Sequence, residues 1–212
     1  IINSAGSEMN SIVELGWYGV RDTKESLIAI AARLYPLHPT VLPVLTRLFS
    51  RFGQNERSLF SFLVSDEPFG LMSFADQPVR PDQYYRIHNL YDYTLANLGH
   101  RLNLQSYRSH WSQIESVIES FPAESEMELH ILKTTAMLNL LDVNNLLASD
   151  ETLELSVDEN HGYDRNHVRE IIAKLRNVKR VLYVRGVAGG YCLWPYTSVN
   201  LERAYNEAVK AL

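Results

Sequence analysis

Apolar residues recur at helical spacing through most of the chain. Residues 1–20 are the exception: they show little periodicity and contain Gly6, Gly16 and Gly19, which predicts mostly loop. Asp22 followed by Glu25 resembles a capping box, and Leu27, Ile30, Ala31 and Leu34 then share one helical face. The run Tyr35-Pro36-Leu37-His38-Pro39 ends that helix and starts another, because proline suits a first helical turn and disfavours helix before it. Leu42, Leu45, Leu48, Phe49 and Phe52 line the next face, with Gly53 as its stop. A short helix over 55–64 turns Leu59, Phe60 and Leu63 inward. Two longer ones are expected over 82–98 and 106–121, the latter with Trp111, Ile114, Val117 and Ile118 on its core side. This half reads as a small helical bundle.

From residue 126 the pattern changes. A strongly apolar helix covers 126–141, Ser149-Asp150-Glu151 caps a short one, and Asp164 opens a third over 165–177 with Val168, Ile171, Ile172 and Leu175 inward. Two β-rich runs follow, 181–185 and 191–194, joined by the glycine-rich stretch 186–190, which predicts a hairpin. Three helices and a hairpin in this order are the winged-helix variant of helix-turn-helix. The fold class expected is therefore mainly α. A helical domain over 1–122 precedes a winged-helix domain over 123–212, with the hairpin as its wing. The join at Phe121-Pro122 is short, which favours packed domains.

Composition narrows the class. With 46% hydrophobic and 21% charged residues among 212, the chain is neither disordered nor fibrous. A single cysteine, Cys192, excludes an internal disulfide and fits a reducing, cytoplasmic setting; its place in a strand predicts a buried, inert thiol. No apolar run is long enough to span a membrane, so no membrane partner is expected. The chain starts at Ile1 without Met and stops inside a helical pattern over 204–208, which leads us to expect a piece of a longer protein.

The net charge of −5 conceals an asymmetry. Residues 1–112 balance, residues 113–159 hold eleven acids against Lys133 alone, and residues 160–212 hold nine bases against four acids. In helix-turn-helix proteins the second helix of the motif enters the major groove. Here the face of 165–177 opposite the apolar stripe centres on Asn166, Glu170, Ala173 and Asn177. Arg165, Arg169, Lys174 and Arg176 on that helix, with Arg180 and Arg185 at the wing base, are the candidate contacts to double-stranded DNA. Glu170 in the middle of the face opposes phosphate, so the competing reading is a solvated face on a protein-binding winged helix.

No phosphate-binding Gly-Lys-[Ser/Thr] loop, metal-ligand pair of histidines or nucleophile elbow occurs. His38, His88, His100, His110, His130 and His161 read as structural. No catalytic residue and no metal site is assigned. One stretch carries chemistry: in Gly53-Gln54-Asn55-Glu56-Arg57-Ser58-Leu59 an arginine sits in the first turn of a helix, a position suited to an anion such as a nucleotide phosphate.

Tyr35-Pro36-Leu37-His38-Pro39 and the run Gln54 to Leu63 resemble the region after the nucleotide-binding core in large bacterial P-loop ATPases, the BREX-type ATPases of phage-defence islands among them. Leu90-Tyr91-Asp92-Tyr93, Trp111-x-x-Ile114-Glu115, Leu132-Lys133-Thr134 and Tyr191-x-Leu193-Trp194 are similar to later landmarks of that group. The layout also resembles replication initiators of the AAA+ class, in which a helical lid precedes a winged helix and a lid arginine, sensor 2, reaches the nucleotide. The Gly-Asp-x-Arg spacing of that motif is lengthened by one residue between Gly53 and Arg57, and no Asp follows the glycine. The resemblance implies that Arg57 contacts ATP phosphate, that ATP and Mg bind in the parent protein, and that this fragment itself binds no cofactor. It implies the nucleotide-binding core of the same protein as partner, with double-stranded DNA and a second copy as further candidates. The alternative is a non-catalytic winged-helix module that binds DNA or protein.

Overall fold

A computed structural model describes residues 2–19, 23–54, 56–77, 83–104, 108–157, 165–186, 189–194 and 209. Among them lie ten α-helices and one two-stranded antiparallel sheet, so the chain is mainly helical. The helices are α1 (Ile2–Glu14), α2 (Lys24–Ala31), α3 (Val41–Phe52), α4 (Glu56–Val64), α5 (Leu71–Ala75), α6 (Ile87–Leu104), α7 (Arg108–Ser120), α8 (Glu126–Leu141), α9 (Asp150–Val157) and α10 (Arg165–Asn177). The strands are β1 (Leu182–Val184) and β2 (Tyr191–Leu193).

The expected loop over 1–20 is instead α1. Met9 packs with Leu27 and Ala31 of α2, while Ile12 enters the main core, so tertiary burial outweighs the helix-weakening Gly6. The cap of α2 is Thr23, whose Oγ1 accepts from the Ser26 amide at 3.3 Å; Asp22 lies outside the described residues. The helix expected from 82 begins only at Ile87. Before it Tyr85 exchanges backbone hydrogen bonds with Pro36 and His38, at 2.7 and 2.9 Å, and the chain runs extended. Phe60, expected inward on α4, points to solvent, and Phe62 takes the buried place. Helices α7, α8 and α10 lie within two residues of their expected bounds, and α9 is the short helix expected after Ser149. Asp164, His161 and residues 187–188 and 204–208 fall outside the described residues.

One hydrophobic cluster runs from Ile12 to Tyr191. At its centre α6 packs along α8, across the boundary expected at 122. Helix α8 is buried nearly all round, as an apolar helix with no polar face must be. Phe49, Phe62, Phe74, Tyr85 and Tyr93 pack edge to face beside it, with centroids 5.0 to 6.1 Å apart.

An isolated two-stranded hairpin is marginal in water. Here β2 is fastened along its outer edge. The Tyr191 amide donates to the Ala148 carbonyl (2.7 Å), and Asn139 of α8 donates through Nδ2 to the Tyr191 carbonyl while its Oδ1 accepts from the Leu193 amide, both at 3.0 Å. Helix α8 thus holds the hairpin through one buried amide. Cys192, expected buried, is half-buried, because its side chain lies on the face of β2 turned away from Tyr191.

Candidate functional site

Helix α10 presents the sequence-derived face: Val168, Ile171, Ile172 and Leu175 are buried, and Asn166, Glu170, Ala173 and Asn177 are exposed. Its cations, however, point at acids of this same chain. Arg169 forks onto Glu154 of α9, with Nη2 to Oε2 at 3.0 Å and Nε to Oε1 at 2.5 Å. The Glu154 side chain is only 4% exposed, so the guanidinium neutralises a carboxylate that has little access to water. Lys174 lies 2.7 Å from Glu124 and 3.0 Å from Glu128, and Lys179 completes the cluster at 3.0 Å and 2.8 Å from the same two carboxylates. Burial pushes the Glu128 carboxyl up; the Glu124 amide and the two lysines outweigh it and hold the group below the usual carboxylate range. Arg185, after β1 in the hairpin, meets Asp142 at 2.6 Å.

The Tyr191 hydroxyl donates to Asp150 Oδ1 at 2.8 Å, and Arg176 lines the same cleft. Burial raises the Tyr191 hydroxyl above its ordinary pKa, Asp150 reinforces this, and Arg176 opposes it. Asp150, Glu154, Arg169, Ile172, Arg176 and Tyr191 line an open cleft of about 420 Å³ between α9 and α10. Arg165 at the start of α10 and Arg180, which leaves it in a left-handed conformation (φ 53°), are exposed. Of the six candidate DNA contacts, Arg169, Lys174 and Arg185 are therefore tied to named carboxylates. Arg169, Lys174, Lys179 and Arg185 of the basic segment thus meet Glu154, Glu124, Glu128 and Asp142 of the acidic one, and that part of the charge asymmetry is compensated within the protein.

Arg57 stands elsewhere, in the first turn of α4. Its side chain is exposed and makes no ion pair or hydrogen bond among the described residues. The turn before it is tight: the Gln54 amide donates to Ser58 Oγ at 2.8 Å, and a Cβ on Gly53 would meet that oxygen at 2.8 Å and the Phe49 carbonyl at 2.9 Å. Asn55 lies outside the described residues. The element and its arginine are where the sequence puts them, remote in the chain from α10.

Two features escaped sequence reading. His88 and His130, on α6 and α8, stack with ring centroids 3.7 Å apart and planes within 6°. Burial, then the charges of His130, Arg86, Lys133 and His38, hold His88 well below the ordinary histidine range. His38, read from the sequence as structural, is fully buried between Thr40 Oγ1 (2.7 Å) and Glu8 Oε2 (2.8 Å) and ties α1 to the core. Both arrangements depend on partners at least thirty positions away, which no local spacing reveals. Among the described residues no group of three or more His, Cys, Asp or Glu is placed to hold a metal, and no helix is long and apolar enough to cross a membrane. No protein-family model matches this chain, and neither a curated protein nor a solved structure is matched by it.

Proposed function

We propose that this chain is a non-catalytic interaction module whose C-terminal part is a winged helix that engages protein in preference to DNA. The order α8, α9, α10, β1, β2 supports the winged helix, and so does the backbone bond from Tyr191 to Ala148. That bond ties the segment before α9 to the outer edge of the hairpin. The observation that carries the choice of partner is the pairing of Arg169, Lys174 and Arg185 with Glu154, Glu124, Glu128 and Asp142. DNA affinity comes chiefly from cations that release counterions from phosphate, and a cation already bound to a carboxylate contributes little. Titration with a 20-bp duplex tests this. The expected result at physiological salt is binding no tighter than the ~10⁻⁴–10⁻⁶ M of non-specific contacts. Tight binding that falls steeply with salt, and that is lost when Arg165, Arg169, Lys174, Arg176, Arg180 and Arg185 are neutralised, overturns it.

A second reading rests on Arg57. An exposed arginine with no partner among the described residues, opening a helix in the half that precedes the winged helix, fits the lid of an AAA+-like P-loop ATPase of the phage-defence type. In that parent Arg57 contacts the phosphates of ATP-Mg held by the nucleotide-binding core, and the winged helix couples nucleotide state to a partner or DNA. Arg57→Ala in the parent is the test. Unchanged ATP affinity and turnover would remove this reading, and size-exclusion light scattering of the chain alone settles whether it pairs with a second copy.

A further inference from the structure

Helix α4 has two apolar faces, and an amphipathic surface helix needs only one. Phe62 is fully buried and Leu59 and Leu63 pack beside it, while Phe60 on the other side is 67% exposed and Val64, one turn on, 52%. The turn after α4 and the short α5 packed on it add Phe69 at 52% and Met72 at 41%. Isolated exposed apolar residues are ordinary, but a group of large ones on two adjoining helices marks an interaction surface.

Phe69 adds a second observation. Its φ is 61°, a left-handed conformation that a bulky residue adopts only when its surroundings impose it. They do so here from both sides. Tyr93 donates its hydroxyl to Glu67 (2.7 Å), Asn97 Nδ2 donates to the Pro68 carbonyl (2.9 Å) and the Tyr85 hydroxyl donates to the Phe69 carbonyl (2.8 Å). The Gly70 amide closes the turn on the Glu67 carbonyl at 2.9 Å. The result is an aromatic ring held outward on a rigid turn, which lowers the ordering cost of any complex it enters.

The charge around it selects the partner. Glu56, Asp66 and Asp76 are exposed and make no ion pair among the described residues, unlike Glu124, Glu128 and Glu154, each of which meets a lysine or arginine. Arg57 is the one cation on the same stretch. We propose that the α4–α5 surface docks an amphipathic, lysine- or arginine-rich helix of a partner protein. Phe60, Val64, Phe69 and Met72 take its apolar stripe and the three free acids take its basic flanks. This surface shares no residue with α8 to α10, so it stands or falls separately from the winged-helix reading.

The test is fluorescence anisotropy with the whole chain and a labelled helical probe of about 18 residues, leucine at i, i+3, i+4, i+7 and lysine elsewhere. A glutamate counterpart serves as control. The expected result is saturable binding of the lysine probe only. Affinity should fall at least ~10-fold in Phe60→Ser/Val64→Ser and in Glu56→Gln/Asp66→Asn/Asp76→Asn, and several-fold in Phe69→Ala. Glu25→Gln/Glu119→Gln/Glu126→Gln, which removes as many exposed acids elsewhere, should leave it unchanged. Melting curves report folding of each variant, and the acid triple carries the test if the apolar double unfolds. Absence of binding, equal loss in the control triple, or equal affinity for the glutamate probe overturns the proposal. Self-association abolished by the same apolar substitutions, or binding to phosphatidylserine vesicles in place of the probe, overturns it too.

Discussion

Asn139 is the most exacting point of the C-terminal half. Its amide is 5% exposed and serves two backbone groups of β2 at once, the Tyr191 carbonyl and the Leu193 amide. Asn139→Leu keeps the number and branching of the side-chain heavy atoms and strips both bonds, leaving a buried donor and a buried acceptor unsatisfied. Each such group costs ~1–3 kcal/mol, so the expected loss is about 2–6 kcal/mol, a large part of the ~5–15 kcal/mol that holds a domain together. Asn139→Asp separates the two bonds. The carboxylate still accepts from the Leu193 amide but faces the Tyr191 carbonyl with an acceptor, which raises the pKa of the new carboxyl in the folded state. At neutral pH this variant is destabilised as well. As pH falls through the raised pKa, the protonated acid donates to Tyr191, and the deficit relative to the parent protein at the same pH shrinks. Urea unfolding measures both variants, and amide exchange at Leu193 reports the local opening directly. If both variants stay within about 0.5 kcal/mol of the parent with Leu193 exchange unchanged, the Asn139 clamp is not what fastens the hairpin.

His88 is held neutral in the folded chain while the unfolded chain takes up a proton near pH 6.5, so stability is complete above that pH and declines below it. The slope reaches ~1.4 kcal/mol per pH unit, and acid titration of urea midpoints should show it reduced in His88→Gln. Gly53→Ala places a methyl 2.8 Å from Ser58 Oγ and 2.9 Å from the Phe49 carbonyl; thermal melting should show a loss of about 1–3 kcal/mol, and none would mean that the turn yields easily. Phe62→Ala should cost ~3–5 kcal/mol in urea, whereas Phe60→Ala, two residues away on the exposed face, should stay within about 0.5 kcal/mol.

Helices that bury one periodic face were legible in the sequence. The stripe Leu42, Leu45, Leu48, Phe49, Phe52 with Gly53 after it is α3 and its cap, and Val168, Ile171, Ile172, Leu175 is the inner face of α10. The hairpin was legible from its β-rich runs and glycines. Helix α1 was not, because glycine punctuation hid a face of Met9 and Ile12 that only α2 and the core complete. The inward place given to Phe60 failed for the opposite reason: α4 is apolar on both sides, and periodicity cannot say which side the core takes. The candidate site was half legible. Sequence identified which residues of α10 face outward, but whether Arg169 and Lys174 remain available depends on Glu154, Glu124 and Glu128, placed opposite them only by the packing of α8 and α9.

The cluster that runs unbroken from Ile12 to Tyr191, with α6 lying on α8, has a thermodynamic consequence. Elements that share one core melt together, so a ligand bound on α4 and α5 and another bound on α10 both draw on a single unfolding equilibrium. Each protects the whole chain by its own binding free energy, and a contact made at one end slows proteolysis at the other without any change of shape between them. A hinge between the elements before α8 and those after it would have to break the α6–α8 seam first.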